Sequence, residues 1–269
     1  MTTLAPEPTA APPPASAPEP TPGSPKPDDE KRMTVVEHLT ELRRVLIVSL
    51  LAWGATTTAA FVFHDRVLTA LERPLIQVLG KGNHLSPLPI VTTPTEPLTI
   101  PLKVSLAVGF VGALPIILWQ VWSFISPGLR PVERKFAGPF IASSLLLFAG
   151  GGAFAYFIMP VGLNFLATFL GGNATFLPDL NAYLSFFTLL IVVFGITFEL
   201  PVVVVLLGVL GIVSSKRLRS WRKGIWVGIV AASFLVTPGA DPITPTALLI
   251  PLIVLFEAAV LILDKVFKR

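Results

Sequence analysis

Apolar residues fall in long unbroken blocks along this chain instead of alternating with polar ones. Six blocks stand out: residues 45–63, about 100–124, about 138–166, about 182–213, 224–236 and 246–263. A membrane-crossing helix needs about 20 apolar residues, within a range of about 17–25. The first four blocks reach that length, and the sixth is just long enough. The fifth, GIWVGIVAASFLV, spans only about 20 Å as a helix, against a hydrocarbon core of about 30 Å. The pattern therefore predicts an all-α integral membrane protein of five or six spans. Two arrangements accommodate the short block. Blocks five and six form a re-entrant pair that never crosses, or they cross where the bilayer is locally thinned.

The stretches between blocks carry their own patterns. TVVEHLTELRR at 34–44 has capping-box spacing at Thr34 and Glu37. Val35, Leu39, Leu42 and Leu46 then form an apolar stripe, predicting an interfacial helix ahead of the first span. DRVLTALERPLIQVL, inside the long 64–99 connection, reads as a short amphipathic helix interrupted at Pro74. With the 167–181 loop it is expected to form an ordered cap on the outer face. The kinked fourth span has no counterpart three spans away, so no inverted repeat is evident.

Composition sharpens this picture. Hydrophobic residues make up 53% of the 269 positions and charged ones 13%, where a soluble domain carries about 25% charged. Mean hydropathy is +0.76. There is no cysteine, which excludes disulfides and thiolate sites. Residues 1–27 hold ten of the 27 prolines. Such a segment buries too little apolar surface to offset its ordering entropy. Residues 1–32 are therefore expected to be a disordered cytoplasmic tail, with a proline-rich ligand for a partner as the alternative. The segment has no apolar core and does not read as a signal peptide. Residues 33–265 form the transmembrane domain and 266–269 a short basic end.

Charge orients the spans. The tail through Arg44, the 125–137 and 214–223 connections and the C-terminus together hold sixteen of the twenty Lys and Arg residues. The 167–181 and 237–245 connections hold none. The positive-inside rule then gives six spans with both termini cytoplasmic. In a membrane protein this asymmetry reports orientation, not nucleic-acid binding.

No catalytic set appears, and no cofactor or metal motif. His38, His64 and His84 lack ligand spacing, and there is no Walker A or Rossmann pattern. FAGGGAF at 148–154 is read as a place of close helix packing. The chain is read as a non-enzyme whose work draws on an ion gradient or a partner. The unusual chemistry is in carboxylates. Glu41 lies beside the apolar stripe at the membrane surface, and a plain surface acid near Arg44 is the alternative. In FISPGLRPVERK, Pro131 and Glu133 suit the first and third positions of a helix, where an acid complements the dipole. Each of Glu41 and Glu133 could instead take a guanidinium in a bidentate pair. Glu199 and Glu257 fall within apolar blocks, where a charge costs about 2.5–3.5 kcal/mol. Pro201 leaves the carbonyl near Thr197 without its usual donor. Glu199 then either hydrogen-bonds at that kink or serves as a polar handle for a docking partner.

HLTELRRVL, WQVWSFISPGLRPVERK, YLSFFTLLIVVFGITFELPVVVVLLGVLGIVS and LLIPLIVLFE resemble the TatC family, the multi-spanning core of the twin-arginine protein translocase. The resemblance covers about residues 33–265. It implies a concave, glove-shaped, six-helix receptor in a bacterial-type plasma membrane, both termini cytoplasmic, working in an oligomeric complex on the proton-motive force. By resemblance, Glu41 and Glu133 contact the paired arginines of a signal peptide. Arg43, Phe124, Pro127, Leu129 and Arg134 fall on the supporting pattern. Glu199 matches an acid associated with the single-span partners TatA and TatB. Pro74 matches a proline of the first outer loop. Asp241 matches a family acid, while Pro245 stands where some members have glutamine. The rival reading is a proton-coupled transporter of a small solute using Glu199 and Glu257.

Overall fold

The computed structural model describes residues 35–80, 90–126, 137–169, 178–237 and 241–265. Regular structure there is helical, apart from one isolated parallel bridge between Ile90 and Asp179. The helices are α1 (Val35–Val62), α2 (His64–Leu79), α3 (Glu96–Ile125), α4 (Ala137–Phe169), α5 (Leu180–Phe198), α6 (Leu200–Val209), α7 (Ser215–Ser220), α8 (Arg222–Val236) and α9 (Ile243–Lys265). Among the described residues, five stretches are long and apolar enough to cross a membrane: α1, α3, α4, α5 continued by α6, and α9. The short fifth block is α8, whose 15 residues reach about 22 Å.

Two expectations need correction. The interfacial helix and the first span are one continuous α1 of 28 residues. Nothing between Arg44 and Val45 stops a helix: Leu, Arg and Glu are good formers, with no Gly or Pro among them. Leu39 and Leu46 of the stripe are exposed on the bundle, as an apolar face turned to lipid is. The second correction concerns Pro74, which does not interrupt α2. Proline removes the donor for the carbonyl four residues back. That carbonyl, on Ala70, accepts instead from the Tyr156 hydroxyl of α4 at 3.0 Å. The Tyr183 hydroxyl of α5 donates to the next carbonyl, Leu71, at 2.8 Å. The face of α2 carrying Leu71, Pro74, Leu75, Val78 and Leu79 is buried, the three-and-four spacing of an amphipathic stripe.

On the α2 side the described end of the 64–99 connection meets the start of α5. Leu180 N–H donates to the Ile90 carbonyl at 3.0 Å, and the Thr92 hydroxyl lies 2.8 Å from Asp179 Oδ2. Asp179 caps α5 by accepting from the Ala182 N–H at 2.7 Å.

Helices approach closely where small residues allow it, the usual solution in lipid. A Cβ on Gly151 of α4 would sit 2.5 Å from the Phe194 carbonyl oxygen of α5, and one on Gly195 would sit 2.5 Å from the Phe148 ring. The glycine-rich stretch thus serves close packing, through Gly151. Around this crossing Phe154, Phe194 and Phe198 meet with centroids about 6 Å apart. α1 rests on α3, where Trp53 Nε1 donates to the Leu106 carbonyl at 2.8 Å and the Thr56 hydroxyl to the Gly109 carbonyl at 2.6 Å. Gly211, at φ 76°, ends the fourth span in the left-handed region. Past it, Ser214 caps α7 by accepting from the Arg217 N–H at 3.3 Å.

α8 and α9 run antiparallel. Their basic end is joined by Arg222 to Glu257. At the other end Thr244 and Asp241 lie against Gly162 of α4, beyond the level of the Gly151 crossing. Both helices therefore pass from one end of the bundle towards the other.

Candidate functional site

The candidate site begins where α1 meets the last turn of α3. His38 stacks on Phe124 with centroids 4.2 Å apart and planes 18° from parallel. That contact brings the start of the ELR stretch against the end of the WSF stretch, 86 positions away in the chain. Glu41 is half-buried one turn further along α1. Its Oε2 is shielded from solvent and has no hydrogen-bond partner. No ion pair joins it to Arg43 or Arg44, both exposed. Burying such an oxygen unpaired costs about 1–3 kcal/mol, more when charged. Glu133, Pro127, Leu129 and Arg134 lie outside the described residues, as does Thr34.

This end of the bundle also carries Lys216, Arg217, Arg219, Arg222, Lys223 and Lys265. Two of the arginines are neutralised. Arg219 Nη2 donates to Asp264 Oδ2 at 2.9 Å, with the Ser215 hydroxyl 3.2 Å from Oδ1. Arg222 pairs with Glu257, which also accepts from Trp226 Nε1 at 3.2 Å. Glu257 is therefore not an open intramembrane acid, as its apolar block suggested. Its partner comes from the start of the neighbouring antiparallel helix.

Asp241 is also already engaged. It is buried, and its Oδ1 accepts from the Thr244 N–H at 2.7 Å, making it the N-terminal cap of α9.

Glu199 occupies the break between α5 and α6. Its N–H donates to the Ile196 carbonyl and its own carbonyl accepts from the Val203 N–H, both at 3.0 Å. Pro201 sits in the first turn of α6, where its missing N–H leaves no bond unmade. The Glu199 side chain lines a cavity of about 170 Å³ walled by Trp122 and Ile125 of α3, Phe140 of α4 and Val203 and Leu206 of α6. Ser144, itself buried, lines the same cavity. Trp122 and Phe140 meet there with centroids 5.1 Å apart. One acid thus faces an almost wholly apolar space, with a single hydroxyl beside it.

Sequence reasoning missed the Thr92, Glu96 and Asp179 cluster on the α2 side. Thr92 Oγ1 lies 3.0 Å from Glu96 Oε1, and the Thr92 N–H donates to Glu96 Oε2 at 2.9 Å. Asp179, three residues before Ala182 and just ahead of an apolar run, is an N-cap signature that was available in the sequence. Outside the spans, Asp179 has its carboxyl held below the ordinary value, first by the Ala182 N–H and then by the Thr92 hydroxyl.

Residues 37–251 match the family model for TatC, the Sec-independent protein translocase protein. The chain is 36% identical over 242 residues to the Sec-independent protein translocase protein TatC of Frankia casuarinae, covering 87% of this chain and 66% of that one. It is 38% identical over 231 residues to the TatC of Aquifex aeolicus, covering 85% and 93%. A crystal structure of the twin-arginine translocase receptor TatC, in the detergent DDM, aligns at a TM-score of 0.72 with 37% identity, covering 84% of this chain and 99% of that one. The acid-bearing α1 start, the broken fourth span and the short α8 all lie in the matched region, and the chain is a membrane protein of the TatC family, the core of the Sec-independent translocase.

Proposed function

We propose that this protein receives twin-arginine signal peptides and serves as the assembly core of a translocase that exports folded proteins on the proton-motive force. The observation that carries the reading is the buried, unpartnered Glu41 oxygen at an end of the bundle otherwise rich in cations. Such an acid lacks what a guanidinium supplies: two parallel donors and a positive charge. The solved relative is described as a twin-arginine translocase receptor, which supports the same reading. Glu41 and Glu133 each take one arginine of the pair. Arg43, Phe124, Pro127, Leu129 and Arg134 shape the surroundings, with Phe124 held by His38.

In this reading the cationic end faces the cytoplasm of a bacterial-type cell, so both termini are cytoplasmic. Residues 1–32 form a tail outside the receptor. Glu199 offers its carboxyl to a polar side chain on the single-span partners TatA and TatB, in a multi-subunit complex. The small-solute transporter loses ground, because the Arg222 pair already occupies Glu257.

The test is photo-crosslinking of a twin-arginine peptide to the purified chain in lipid nanodiscs. Loss of one charge-assisted contact should weaken binding about tenfold or more, so Glu41→Gln and Glu133→Gln each reduce the yield and the double variant abolishes it. Undiminished crosslinking in the double variant refutes the proposal.

A further inference from the structure

The groove between α1, α3 and α5 holds a cation without an anion. Trp53, Leu106, Phe110, Leu189, Val192 and Ile196 wall a space of about 560 Å³. Lys103 stands at its end on the α2 side, with Nζ 2.9 Å from Asn181 Oδ1 and 3.4 Å from Ser185 Oγ. Both neighbours are neutral. Among the described residues no carboxylate forms an ion pair with Lys103. One turn deeper on α5, Thr188 Oγ1 is buried and has no hydrogen-bond partner. A charge this far into a span is costly unless something polar meets it. The groove thus pairs unfilled donors at one end with hydrocarbon along the rest, the complement of an amphiphile with an anionic head.

Its length and lining select the occupant. From Ser185 to Ile196 the helix rises about 16 Å, roughly one leaflet of a core about 30 Å thick. Along that length the groove is lined almost wholly by hydrocarbon, which suits an extended acyl chain, while a phosphate gives Lys103 the anion it lacks. Trp53 is a fixed wall, because its Nε1 is bonded to the Leu106 carbonyl.

We propose that this groove binds one phospholipid from the leaflet on the α2 side, its phosphate on Lys103 and an acyl chain laid along Trp53, Leu189 and Val192. The Thr188 hydroxyl faces the ester region. Basic pockets between membrane helices hold headgroups in this manner.

Native mass spectrometry of the detergent-purified chain tests the site, with dioleoylphosphatidylglycerol as probe and dioleoylglycerol as its phosphate-free counterpart. The wild type should retain one phospholipid and bind the diacylglycerol at least tenfold more weakly. Lys103→Gln should lose about tenfold or more in phospholipid affinity, while Lys103→Arg keeps it. Equal binding of the two probes, or unchanged affinity in Lys103→Gln, overturns the proposal. A photoreactive benzoylphenylalanine placed at Leu189 gives an independent check in membranes. An adduct of one phospholipid mass supports the site, and an adduct with a polypeptide overturns it.

Discussion

Tyr156 should matter to stability only because Pro74 is where it is. Proline at position 74 deprives the Ala70 carbonyl of its helical donor, and the Tyr156 hydroxyl supplies a replacement from α4 at 3.0 Å. This bond is not sealed in the core of the bundle, so its net worth is about 0.5–1.5 kcal/mol. Tyr156→Phe should lower stability by that amount. In a Pro74→Ala background, residue 74 regains an N–H and closes the bond to Ala70 itself. The same Tyr156→Phe change should then cost only a few tenths of a kcal/mol, giving a coupling of roughly 1 kcal/mol in a double-mutant cycle. Tyr183→Phe is the control. Its acceptor, Leu71, is not the carbonyl that proline at position 74 deprives of a donor, so its effect should be the same with or without Pro74. That effect should also be larger, about 1–3 kcal/mol, because this bond is buried. Equilibrium unfolding in mixed micelles, followed by far-UV circular dichroism, measures all four combinations. Equal cost of Tyr156→Phe in both backgrounds would refute the argument.

Two further outcomes follow from the packing and the cap. Gly151→Val should destabilise by about 1–3 kcal/mol through the clash with the Phe194 carbonyl, while neighbouring Gly150→Ala, with nothing within 4 Å, should not; thermal unfolding of the two variants decides. The Asp179 carboxyl titrates below the ordinary 3.8 because the folded chain bonds its anion, so its stabilisation is full above that value and fades as pH falls through the lower folded one. Asp179→Asn should therefore weaken the protein at pH 7 and flatten the fall of stability in acid, read from unfolding midpoints between pH 2 and 7.

The spans were legible because hydrocarbon imposes length and apolarity together, and a run such as LLIVVFGITF has no other use. The break of the fourth span could be read from the single pair Glu199 and Pro201, which is where it falls. What the sequence hid was pairing at a distance. Pro74 reads as a breaker because local rules cannot know that a hydroxyl 82 positions later will satisfy Ala70. Glu257 reads as a lone buried acid because its partner, Arg222, lies on the neighbouring helix. Asp241 was locally readable as a cap, but resemblance to a family acid drew attention to partners instead. The continuity of α1 was obscured by polarity alone: the change from charged to apolar at Arg44 and Val45 marks a change of surroundings and does not interrupt the backbone.

The last turn of α3 serves two places at once. Phe124 faces His38 and the start of α1, while Trp122 and Ile125, on the same turn, wall the space beside Glu199. The rim near Glu41 and the gap at Glu199 therefore share one wall, and a side chain changed on that turn for the sake of one place borders the other as well.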